Sequence, residues 1–113
     1  MSISTAALSF DSLVEAAVRE AITRTLGEDV WKAIGFYFDP KQAASNPEAF
    51  SSILDKMFGS GSRVLQKLIT EALLKKVGSL AVVDKQGRSF FDWIQIARAK
   101  FSSNLNNLTQ KVH

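Results

Sequence analysis

Apolar residues recur along this chain with the 3.6-residue period of a helix, in segments punctuated by glycine and proline. The first runs from about Ser12 to Leu26. Val14, Ala17, Val18, Ala21, Ile22 and Thr25 share one face, with Arg19, Glu20 and Thr23 opposite. Ser12 with Glu15 three residues later forms a capping box, and Gly27 stands where a left-handed residue ends a helix. Small Ala17 and Ala21 allow a neighbouring helix to approach closely.

Glu28 and Asp29 suit the positive end of a second helix, in which Trp31, Ala33, Ile34, Phe36, Tyr37 and Phe38 are apolar nearly all round. That pattern predicts a short buried helix ending at Asp39-Pro40. Asn46-Pro47 places an N-cap before a proline at the first helical position, and Phe50, Ile53, Leu54, Met57 and Phe58 form the stripe that follows, ended by Gly59. From Ser62 to Val77, Val64, Leu65, Leu68, Ile69, Ala72, Leu73 and Val77 cover about half the circumference, so this helix is expected at the centre, closed by Gly78. Leu80 to Val83 is one short β-branched run, too little for a sheet, and Asp84 to Arg88 reads as a turn. Ser89 and Asp92 then cap a last helix carrying Phe90, Trp93, Ile94, Ala97 and Phe101 on one face. Leu105, Leu108 and Val112 continue the phase, although the polar residues around them have poor helix propensity. Such a helix would be about 35 Å long, so its end should project or fold back.

The expected fold is therefore all-α, a compact array of four to five helices with a long amphipathic C-terminal helix. A flexible segment over 1–9 precedes a helical core domain over 10–78. Residues 79–113 supply a connector and the amphipathic helix, packing on the core or on a partner.

Composition narrows the chemistry. The 113 residues hold no cysteine, and the one histidine is His113. Disulfides, thiolate metal sites and a cysteine nucleophile are excluded, and acid–base work would fall to carboxylates and lysines alone. Glu28-Asp29 are adjacent and so point apart, while Asp11 with Glu15 is more simply a helix start. An enzyme is thus the third choice, with no catalytic residue, metal or cofactor called. No apolar run reaches the length of a membrane span and Met1 to Leu8 lacks a basic region, which suggests a cytoplasmic protein without a membrane partner.

Charge is unevenly spread. The formal net charge is +3, but residues 1–56 carry −3 and residues 57–113 carry +6. Nucleic-acid binding through the basic half is the runner-up, with Arg63, Lys67, Lys75, Lys76, Arg88, Arg98 and Lys100 as phosphate contacts. A helix-turn-helix is disfavoured, because Val64, Leu65 and Leu68 occupy positions where base-reading side chains belong. Gly59-Ser60-Gly61-Ser62-Arg63, with Lys67 one turn on, could hold an anion at a helix N-terminus, against the simpler role of a hinge with a serine cap. The aromatic residues Trp31, Phe36, Tyr37, Phe38, Phe90, Phe91 and Trp93 fit a core better than a ligand pocket.

The stripe Phe101, Leu105, Leu108, Val112 steps by four, three and four residues, the spacing of a coiled-coil seam, with Asn104 at its edge as a register-setting polar group. These four residues are the candidate interface for self-association or a helical protein partner, the first function hypothesis.

Leu26-Gly27-Glu28-Asp29-Val30-Trp31-Lys32-Ala33-Ile34, then Asn46-Pro47-Glu48-Ala49-Phe50, then Met57-Phe58-Gly59-Ser60-Gly61-Ser62-Arg63-Val64-Leu65 with Leu68-Ile69, resemble the Nitrosopumilus-type output domain, an archaeal module found alone or joined to signalling modules. The resemblance spans about Ser12 to Gly78 and rests on a helix pair flanking a Phe-Gly-x-Gly turn. It implies an all-helical module of signalling or regulation, with no catalytic residues to carry over; the chain after Gly78 lies outside it.

Overall fold

The computed structural model describes residues 9–79 and 88–111, the side chains of 105–111 excepted. The fold is all-α, with helices α1 (Phe10–Leu26), α2 (Glu28–Tyr37), α3 (Pro47–Phe58), α4 (Ser62–Lys76) and α5 (Phe90–Lys111) and 3-10 turns at Pro40–Gln42 and Gly59–Gly61. No strand occurs among the described residues. The connector read at Leu80 to Val83 and most of the following turn lie outside them.

Helix α1 starts earlier than Ser12. Ser9 is the cap, its Oγ accepting from the Ser12 backbone N–H at 3.1 Å. This brings Phe10, in helical phase with Val14, into the core, where its ring lies 5.7 Å from that of Phe101. Val14, Ala17, Val18, Ala21 and Ile22 are buried as their phase predicts, whereas Thr25 is exposed near the helix end. Gly27 (φ 94°, ψ 170°) joins two helices: its N–H donates to the carbonyls of Ile22 and Thr23, and its own carbonyl accepts from Trp31.

Helix α2 is not the buried helix its composition suggests. It packs chiefly on α1, and a helix with one main neighbour buries one face. Ile34 alone is fully covered, while Phe36 is 87% and Tyr37 68% exposed. Phe38 leaves helical geometry and turns back, its ring 5.4 Å from Phe50. Asp39 Oδ1 then accepts from the Lys41 N–H at 3.0 Å to cap the 3-10 turn, which carries Ala43 and Ala44 into the interior.

Helix α3 begins at Pro47 as expected, although the Asn46 side chain makes no capping bond; its carbonyl accepts from Phe50 instead. Phe50 and Leu54 are buried. The chain leaves α3 at Gly59 with φ 57° and ψ −129°, a conformation open essentially to glycine alone. A Cβ there would meet nothing within 4 Å, so backbone strain is the whole penalty. Gly59→Ala should cost about 1–3 kcal/mol, read as a lower midpoint in urea at unchanged slope.

Helix α4 is central, packing on α1, α3 and α5. Leu65, Ile69, Leu73, Leu74 and Val77 are buried; Val64, assigned above to the core face, is 59% exposed. A Schellman motif closes it, with Gly78 at φ 76°: Ser79 N–H reaches the Leu74 carbonyl at 2.9 Å and Gly78 N–H that of Lys75 at 3.1 Å.

Ser89 and Asp92 cap α5 reciprocally, the Asp92 N–H on Ser89 Oγ (3.1 Å) and the Ser89 N–H on Asp92 Oδ2 (3.0 Å). Phe90, Trp93, Ile94 and Ala97 are buried in the same core as α1, α3 and α4. Asn104 Nδ2 donates to the Val77 carbonyl at 2.7 Å, fastening α5 to the end of α4.

Candidate functional site

The glycine–serine turn is a hinge with its hydroxyl turned inward. Ser62 is fully buried, and its Oγ accepts from Gln66 Nε2 at 2.8 Å. No side chain caps the first turn of α4, and Ser60, Arg63 and Lys67 lie exposed around Gly59 and Gly61. Ser62, one of the two hydroxyls in the anion reading, is thus turned into the interior, while Ser60 stays exposed.

Three of the seven proposed phosphate contacts have partners within the fold. Lys76 Nζ lies 3.3 Å from Glu20 Oε2, the Arg88 guanidinium stands over the Trp93 ring at 5.2 Å, and Arg98 Nη2 donates to the Ala44 carbonyl at 3.1 Å. Arg98 also sits 4.7 Å from the Phe10 ring centre. It therefore joins α5 to α1 and to the loop just after the Pro40–Gln42 turn rather than reaching outward. Arg63, Lys67, Lys75 and Lys100 are exposed, but on two helices, and Glu71 interrupts the α4 row.

Of the stripe on α5, Phe101 is half-buried against Phe10, which takes it out of an external seam. Asn104 belongs to the α4 terminus through Val77, not to a register-setting position. The backbone helix continues to Lys111; the side chains of Leu105 and Leu108, and Val112 altogether, lie outside the described residues.

Two features escaped the sequence reading. One is the outward pair Phe36 and Tyr37 at the end of α2, where Phe36 lies more than 150° round the helix from Ile34. That offset was legible, had α2 been given one core face instead of several. The other is an open cleft of about 340 Å³ between α1 and α4. Ala21, Leu68 and Ala72 supply its apolar surface, with Arg24, Thr25, Glu71 and Lys75 among the other lining residues. Glu20 is held at one side by Arg24 (3.2 Å) and Lys76. A cleft between helices requires knowing which helices adjoin, and periodicity does not say.

No group of three or more His, Cys, Asp or Glu residues is placed to hold a metal ion among the described residues. No described helix is long and apolar enough to cross a membrane. No protein-family model, curated protein or solved structure matches this chain.

Proposed function

We propose that the protein is a small interaction module that self-associates, or binds a helical protein partner, through the distal part of α5. The observation that carries this is the continuation of α5 as helix to Lys111, beyond the Asn104–Val77 bond that fastens it to the core. In the sequence, Leu105 and Leu108 within this stretch and Val112 just after it keep the spacing of a helical seam. Phe101 and Asn104 serve the core, so the candidate interface shortens to Leu105, Leu108 and Val112. The resemblance to archaeal output domains favours a signalling or regulatory role without catalysis.

Leu105→Glu combined with Leu108→Glu tests it. Light scattering at high concentration should show a clearly smaller mean mass for the double variant than for the wild type, with the thermal transition, recorded where each is monomeric, unchanged. A monomeric wild type sinks self-association. A lower melting temperature in the double variant would instead mean that the stripe packs on its own core.

A further inference from the structure

The outward ring on α2 and the cleft between α1 and α4 match each other in chemistry. We propose that Phe36 of one copy of the chain enters the α1/α4 cleft of a second copy, a head-to-tail contact separate from the α5 surface.

The cleft suits an aromatic guest. Its apolar residues Ala21, Leu68 and Ala72 lie beside the cations Arg24 and Lys75, which can approach a ring face. Its volume of about 340 Å³ is ample, since an enclosed apolar cavity of about 150 Å³ accepts benzene. Phe36 is 87% exposed and is not among the residues lining the cleft of its own molecule.

Neighbouring charges set the direction. Asp29, Lys32 and Phe36 follow one another along the exposed face of α2, and exposed Lys67, half-buried Glu71 and exposed Lys75 follow one another along α4. Laid parallel with Asp29 against Lys67, Lys32 lies about 4.5 Å along the axis and Glu71 about 6 Å, so both pairs are of opposite sign. Phe36 then stands about 10.5 Å along, between Ala72 at about 7.5 Å and Lys75 at about 12 Å, which is the cleft. Reversed, with Phe36 still in the cleft, the same spacing carries Lys32 and Asp29 past Val77 and off the end of α4. The acidic N-terminal half and basic C-terminal half of the chain favour this approach. Because knob and cleft sit on different surfaces, the contact does not close on itself, and assembly proceeds to rings or open chains.

Sedimentation velocity on the full chain, from micromolar to millimolar, provides the test. Wild type should grow in size with concentration, and should still do so with Leu105→Glu and Leu108→Glu in place, so failure of the α5 interface and failure of this one are distinguishable. In that α5-altered background, Phe36→Ser and, separately, Thr25→Trp, which fills the cleft from an exposed position, should each weaken association about tenfold or more while leaving the thermal transition in place. Mixed together, the two variants should form a 1:1 complex and nothing larger, since one retains the cleft and the other the knob. Lys67→Glu should weaken assembly and Asp29→Lys added to it should restore it. The proposal is overturned if neither Phe36→Ser nor Thr25→Trp affects assembly, if only one does, if the mixture stays monomeric, or if the Leu105/Leu108 variant abolishes all association.

Discussion

Cut after Ser79, the chain should lose its cooperative unfolding transition. Helix α5 contributes Phe90, Trp93, Ile94 and Ala97 to the buried core, each no more than 5% exposed. Burial of a large apolar side chain is worth roughly 1.5–3 kcal/mol, so the three largest together approach the roughly 5–15 kcal/mol that stabilises a whole domain. The truncation also removes the Arg98 donor to Ala44, the Asn104 donor to Val77 and the ring that covers Phe10. Near-UV circular dichroism of residues 1–79 should be featureless and heating should give a broad, shallow change. A sharp transition within a few degrees of the full chain would show that residues 10–78 close a core unaided, as the sequence pattern had suggested. Ending the chain after Asn104 instead leaves every one of these contacts in place and should preserve the transition.

The difference between those two cuts marks where sequence periodicity informs and where it stops. A stripe such as Val14, Ala17, Val18, Ala21 and Ile22 identifies a helix and its inward face, because one helix turn fixes which side chains are neighbours. Capping is equally local, so Gly78 after α4 and the Ser89–Asp92 pair before α5 were legible. Cover is not local. Phe36 and Phe38 are the same residue type two positions apart, yet Phe38 finds Phe50 across the fold and Phe36 finds solvent. Val64 is exposed for the same reason, since none of the described helices covers it. Asn104 was misplaced because its partner is a helix-end carbonyl 27 residues away, which no spacing rule reveals. Of the candidate sites, the glycine–serine turn is the hinge its composition suggests, but without the serine cap, because Ser62 turns inward to Gln66. The cleft depends on two helices meeting and was invisible.

Phe50→Ala should be the most damaging single substitution among the aromatic residues. Phe50 is the largest of the fully buried side chains, and its ring lies 5.4 Å from Phe38 and 5.8 Å from Phe90. It thus stands where the chain leaving α2, helix α3 and helix α5 meet. Truncating such a residue removes its transfer free energy and leaves a cavity, costing about 3–5 kcal/mol, part of it from the two ring pairs. For a domain of this size that lowers the melting temperature by roughly 10–25 °C. Phe50→Leu, which retains most of the volume, should lose less than half as much. Phe36→Ala supplies the contrast: on an 87% exposed side chain it should change stability by no more than about 0.5 kcal/mol. Calorimetry of the three variants under conditions where each is monomeric separates the roles. Equal melting temperatures for Phe50→Ala and Phe36→Ala would contradict the division of the aromatic residues into a core around Phe50 and an outward ring at Phe36. Loss of assembly in Phe36→Ala at an unchanged melting temperature would place that ring's role between molecules, not within one.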